Sequence, residues 1–150
     1  MKKESNYTIK QISSVETYIV RHPVLREGRP IEDCTFDNDD LETTLHFGLY
    51  TNNDLVGVAT FLLNNNQLFS ETIQYQLRGM GVLKSHQGFG FGDSLLQYGE
   101  QQIKLKDGAL IWFNAREIAI GFYKKNNFQI IGDSFEIKGV GKHYVMYKKL

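Results

Sequence analysis

The chain has 150 residues, with 17 Lys and Arg against 17 Asp and Glu, so its formal net charge at pH 7 is zero. That length suits a single domain over residues 1–150 with one core, and the balanced charge supplies no overall field toward nucleic acid or an anionic membrane surface. A lone cysteine, Cys34, excludes an internal disulfide; no apolar run reaches a membrane span, and MKKESNYTIK lacks the apolar stretch of a signal peptide, which together predict a cytoplasmic protein.

Tyr7 to Ile12 alternates like a short strand, and a helix is predicted from about Ser14 to Leu25 with Ser13 or Ser14 as its cap. Arg26 to Asp40 is rich in Gly, Pro, Asn and Asp and reads as an irregular surface segment. Thr44 to Tyr50 and Leu55 to Leu63 flank Thr51-Asn52-Asn53-Asp54, the pattern of two antiparallel strands joined by a polar turn. Ile73, Tyr75 and Leu77 share one face of the next strand, whereas Met80 and Val82 continue it with opposite parity. A bulge near Arg78 to Gly81 accounts for the change, as would a twist or strand end.

Leu95, Leu96, Gly99 and Ile103 recur at helical spacing, with Asp93 or Ser94 placed to cap the start. Gly99 on the buried face would let that helix approach the sheet closely. Leu110 to Phe113 reads as a buried strand, and a helix follows from about Glu117 to Asn126, with Asn127 suited to the left-handed position that stops it. Phe128 to Ile131 and His143 to Lys149 are the last predicted strands, separated by a connection containing Lys138 to Lys142. Strand pairs around a strand-helix alternation imply an α/β (α+β) fold with a mixed sheet and helices packed against it.

Gln87-Gly88-Phe89-Gly90-Phe91-Gly92 lies between an extended run and an amphipathic helix. Glycine permits unusual backbone angles and close ligand approach, and successive N–H groups at a helix entrance hold phosphate oxygens. Gln87 could close one side of such a cradle while Phe89 and Phe91 anchor it; an ordinary glycine-rich turn is the plainer alternative. A Walker loop requires Gly-Lys followed by Ser or Thr, and the dinucleotide fingerprint needs its third glycine where Asp93 stands, so neither pattern is met.

Leu77-Arg78-Gly79-Met80-Gly81-Val82 followed by Gln87 to Gly92 resembles the central coenzyme A motif of the GCN5-related N-acetyltransferase (GNAT) family, and Asn114-Ala115-Arg116, Ala119 and Phe122-Tyr123-Lys124-Lys125 resemble its next motif. Val24-Leu25-Arg26, Gly28-Arg29-Pro30, Cys34 and Gly141-Lys142-His143 are similar to a small bacterial branch of it. The family usually has glycine where Asn127 stands, a departure that alters a helix cap more than the chemistry. The resemblance implies a mixed, mostly antiparallel sheet with a bulged strand at the cofactor cleft, and acetyl transfer from acetyl-CoA, as acyl-donor cosubstrate, to a primary amine by direct attack. It also implies cofactor binding by Met80, Gly81 and Val82 on the pantetheine arm and by Gln87, Gly88, Phe89, Gly90, Phe91 and Gly92 around the pyrophosphate, with Asn114 either contacting cofactor or capping the local backbone. Tyr123 is implied as the acid that protonates the leaving thiolate.

The amine must lose a proton before attack, and Glu136, His143 and His46 are candidate acceptors. Cys34 suits a small buried role better than a covalent one. Arg78 could orient an acyl or substrate group beside the bulge or serve in a surface salt bridge, and Arg116 could approach a phosphate or stand as a solvated surface residue. No His, Cys or carboxylate spacing predicts a metal. The acceptor class is a small-molecule or peptide amine, with no nucleic acid or membrane partner; an exposed terminal strand is compatible with a homodimer. The alternative function is a catalytically silent acyl-CoA sensor or partner-binding module.

Overall fold

The computed structural model describes residues 6–150. Residues 1–5, whose basic character entered the reading against a signal peptide, lie outside that range. Among the described residues, seven strands form one sheet in the order β1-β2-β3-β4-β5-β7-β6. They are β1 (Thr8–Gln11), β2 (Leu45–Thr51), β3 (Asp54–Leu63), β4 (Gln74–Val82), β5 (Leu110–Arg116), β6 (Gln129–Ile137) and β7 (Gly141–Lys149). Every neighbouring pair is antiparallel except β4 with β5, which is the expected mixed, mostly antiparallel sheet.

Local chemistry sets the element ends. Ser13 Oγ accepts from the Glu16 N–H while the Glu16 carboxylate accepts from the Ser13 N–H, a reciprocal cap that starts a 3-10 turn at Val15–Thr17 leading into helix α1 (Tyr18–Leu25). Asn52 and Asn53 both take positive φ, 49° and 68°, the turn geometry that matches the twist of the β2–β3 hairpin. Helix α2 (Phe91–Leu105) begins earlier than Asp93 or Ser94 would place it, because Gly90 occupies the N-cap in the left-handed region. The predicted helix over 117–126 is a 3-10 turn (Glu117–Ala119) continued by the short helix α3 (Ile120–Lys125), and Asn127 stands beyond it at φ 71°.

α2 covers the sheet face presented by Gly57 and Phe61; Leu95, Leu96 and Ile103 are fully buried there with Phe61, Phe113 and Met146. A Cβ on Gly99 would lie 2.3 Å from the Phe61 ring, so the glycine does permit the close approach. α1 covers the other face, where Val20 packs with Ile12, Leu55 and Val58. At the C-terminal end the hairpin is longer than the apolar pattern implies. A bulge between Ile131 and Phe135, with Gly132 at φ 76°, lets β6 resume pairing as far as Ile137, so the expected connection shrinks to a turn around Lys138–Val140.

Candidate active site

β4 and β5 pair only over Gln74–Gln76 with Leu110–Trp112, yet both strands run on. From Leu77 and from Phe113 they diverge, leaving the β4 edge that faces β5 without a strand partner. The divergence is reinforced on the other side of β4. Val58 pairs with Gly81 and Thr60 with Arg78, so Ala59 alone stands opposite both Gly79 and Met80. This is a bulge with Gly79 at φ 58°, within the stretch where the parity change predicted one.

The gap is a cleft of about 540 Å³. One wall is Leu77, Arg78, Gly79 and Met80; the other is Phe113, Asn114, Ala115 and Arg116. Ala119 and Tyr123 line it from the α3 side, and Leu25, Arg26 and Phe36 from the α1 side. Met80 and Val82 also line a second cavity, which continues over Gln87, Gly88, Gly90, Phe91 and Gly92 to Phe122 and Lys125. Met80 lines both, so the two spaces lie side by side at the bulge.

The second cavity is built by the glycine turn. Gly88 and Gly90 take φ 87° and 83°, and nothing lies within 4 Å of a Cβ placed on Gly88, so glycine is needed there for the backbone angle rather than for space. Gly92 is different: a Cβ would sit 3.1 Å from Phe122 Cζ, and its absence lets α2 and α3 close up. The first free N–H groups of α2 point out of this turn, where an anion is favoured by both hydrogen bonding and the helix dipole. Phe91 is the buried anchor and Phe89 packs on it at 6.0 Å without lining the cavity. Gln87 donates its side-chain N–H to the Val82 carbonyl at 3.0 Å, fastening the turn to the end of β4. Asp93 and Lys125 also line this cavity and pair with each other at 3.5 Å, so a carboxylate and a cation stand together at the rim.

Tyr123 lies under the junction, its ring 4.2 Å from Phe113, 5.1 Å from Phe122 and 6.0 Å from Phe128. Burial pushes its phenol up to about 12, so the hydroxyl keeps its proton at neutral pH.

A model of the acetyltransferase (GNAT) family matches residues 9–128. The chain belongs to that family. The uncharacterised N-acetyltransferase YitI of Bacillus subtilis (strain 168) is 34% identical over 142 residues, 95% of each chain. A Lactobacillus plantarum protein provisionally assigned as an N-acetyltransferase has the same fold, with a TM-score of 0.79 at 16% identity over 97% of this chain and 99% of that one. The aminoglycoside 6'-N-acetyltransferase solved in complex with coenzyme A gives a TM-score of 0.75 at 13% identity, over 95% of this chain and 96% of that one. Family membership makes this GNAT chain an N-acyltransferase by enzyme class.

Within this GNAT domain the other expected site residues are dispersed. Asn114 is exposed and lines the cleft, whereas the Gly81 side faces Val24 of α1 and lines neither cavity. Glu136 is an exposed residue of β6 opposite Lys142, and His143 is buried, with Nδ1 2.8 Å from the Gly141 carbonyl and Phe135 beside its ring. Neither lines the cleft that holds Tyr123. His46 is enclosed in a network, Nδ1 at 2.8 Å from Thr60 Oγ1 and Nε2 at 2.8 Å from the Asp39 carbonyl. Cys34 is fully buried and burial raises its thiol pKa, which keeps it a packing residue.

Two features escape sequence reasoning. Arg21 has no exposed surface and forms a bidentate pair with the buried Asp39, at 2.6 and 3.1 Å, while also donating to the Cys34 carbonyl and Thr60. The 26–40 segment is therefore anchored inside the protein by Asp39, Cys34 and Phe36, and is not wholly a solvated loop. Arg78 and Arg116 both line the cleft, and Arg78 donates to the Asp37 carbonyl at 3.2 Å instead of making a surface salt bridge.

Proposed function

We propose that this chain transfers the acetyl group of acetyl-CoA directly to a primary amine. The observation that carries the reading is the adjacency of the two cavities at Met80: a glycine turn at the entrance of α2 at one end, the partly buried Tyr123 in the middle and an open cleft beyond. That a relative of this fold was solved with coenzyme A supports the assignment of the turn.

N–H groups across Gly88, Gly90 and Gly92 would receive the pyrophosphate, and Lys125 would add charge at the rim by exchanging its Asp93 partner for a phosphate oxygen. The unpaired β4 edge from Leu77 to Val82 would bond the extended pantetheine arm as a missing strand would. Acetyl-CoA supplies an activated thioester carbonyl. The amine enters from the Arg26 and Phe36 side, its nitrogen forms the new C–N bond and the C–S bond breaks. Tyr123 gives its proton to the departing thiolate and recovers one from the amine or solvent. Backbone N–H groups of the splayed β4 edge near the bulge would stabilise charge on the carbonyl oxygen. Glu136 and His143 do not line the cleft and take no part in the transfer; the ammonium sheds its proton to water at the open mouth.

The test is thiol release from acetyl-CoA with a broad amine panel, read together with product mass. Tyr123→Phe is expected to lower kcat by about 100-fold or more, the scale of general acid catalysis, with coenzyme A affinity unchanged by calorimetry. Equal turnover in that variant removes Tyr123 from the chemistry. Tight coenzyme A binding without turnover on any amine would favour the silent sensor, and absence of coenzyme A binding would overturn the reading.

A further inference from the structure

The cleft beyond Tyr123 is lined by three arginines, Arg26, Arg78 and Arg116, and by no acidic residue. In a chain of zero net charge this is a strong local bias. Among the described residues none of the three is in an ion pair. Neutral groups hold them instead. Arg26 donates to the Asp33 and Leu25 carbonyls at 3.2 and 2.9 Å, and Arg78 to the Asp37 carbonyl. The Phe36 ring has Arg26 at 4.8 Å and Arg78 at 5.4 Å, with Arg21 at 4.1 Å. An aromatic ring attracts a cation without neutralising it.

The neighbouring carboxylates are engaged elsewhere or turned away. Asp33 bonds Arg29, Asp39 bonds Arg21, Glu117 reaches Lys142, and the exposed Asp37 offers Arg78 only its backbone. The cations also press on one another. The Arg26 pKa lies below its ordinary value, through burial first and then the like charge of Arg29; Asp33 opposes the shift and Arg116 adds to it. An anion entering the cleft would relieve all three. Planar guanidinium forks match the two oxygens of a carboxylate or phosphate, which suits them to orient such a group as well as attract it.

We propose that the acceptor is a primary amine whose own body carries an oxyanion, a carboxylate or phosphate, which Arg26, Arg78 and Arg116 receive while the amine reaches toward Tyr123. This rests on the acetyl-transfer reading above. It also explains how attack proceeds without a base lining the cleft. Three positive charges against one or two negative ones leave the site cationic, which lowers the pKa of an entering ammonium and favours the neutral, nucleophilic amine.

The experiment compares amino acids and aminoalkyl phosphates with their own neutral amides or alcohols, and with diamines of equal length, by kcat/KM in the thiol-release assay. The oxyanion member of each pair is expected to lead by at least about tenfold, the worth of one charge-assisted hydrogen bond, and carboxylate against phosphate is read from the separate arms. That lead should shrink in Arg78→Gln and Arg116→Gln and with added salt. Neutral amines or diamines used as well as the oxyanion members would overturn the proposal while leaving acetyl transfer intact. If no member turns over, calorimetry on coenzyme A-loaded protein with glutarate against glutaramide decides: about tenfold tighter glutarate, lost in Arg78→Gln, supports it, and equal or undetectable binding overturns it. Failure to bind coenzyme A sinks the acetyl-transfer reading instead, and glutarate titrated into the unloaded protein then tests the cationic cleft by the same ratio.

Discussion

Asp39→Ala is the substitution for which the structure allows the firmest magnitude. The Arg21 and Asp39 side chains are 0% and 3% exposed, so removing the carboxylate strands a guanidinium where water cannot solvate it. Its surviving partners are the Cys34 carbonyl, Thr60 Oγ1 and the Phe36 ring, and Arg21 Nε already has none. The Asp39 carboxylate also accepts from the Phe36 N–H at 2.9 Å, so the segment that presents Phe36 to the cleft loses its anchor. Breaking one side of such a pair costs about 3–5 kcal/mol. For a chain of this size that corresponds to a fall of about 6–20 °C in Tm, at roughly 2–4 °C per kcal/mol. Urea unfolding should show a lower midpoint at an unchanged slope. Arg21→Met combined with Asp39→Ala should recover much of the loss, because the stranded charge is gone. A loss below about 1 kcal/mol for Asp39→Ala, or a double variant as weak as the two single losses added together, would refute the reasoning.

Gly99→Ala gains helix propensity but places a methyl 2.3 Å from Phe61, and the overpacking cost of about 1–3 kcal/mol should prevail in urea unfolding. Adding Phe61→Leu should relieve it, and a stabilised Gly99→Ala single variant would contradict the close approach of α2. Tyr123 makes a pH prediction. Its folded pKa of about 12 lies above the ordinary value of 10.0, so the folded chain holds the proton more tightly. The stabilising contribution is intact below about pH 10 and is lost as pH rises toward about 12. Tm should therefore fall more steeply above about pH 10 in the wild type than in Tyr123→Phe; parallel curves would remove the claim. Tyr50 and Tyr75, also raised by burial, lose their share in both proteins and cancel in the comparison.

What could be read from the residues was what short-range rules govern. Asn52-Asn53 between alternating runs set a hairpin, the change of parity between Leu77 and Met80 marked the bulge, and Gly99 on an apolar stripe marked a helix lying close on the sheet. Convergence from distant segments was not legible. Arg21 and Asp39 are separated by the end of α1 and a segment rich in polar and turn-forming residues, and only tertiary packing buries both. Arg26 ends α1, Arg78 sits in β4 and Arg116 ends β5, so each alone resembles an ordinary surface cation. Glu136 and His143 failed to reach the cleft for a related reason. Gly132 at positive φ lets β6 continue past Asp133 and Ser134, and the hairpin register then sets Glu136 against Lys142 and turns the His143 ring toward Phe135.

The brief contact between β4 and β5 has a mechanical consequence. The sheet is two leaves, β1 to β4 and β5 to β7, bound along one short spine and open beyond it. A molecule that bonds both open margins acts as a splice, and its binding energy enters the unfolding equilibrium of the whole chain rather than of one loop. Amide exchange should then slow in the outermost strands of both leaves, β1 and β6, as well as beside the opening.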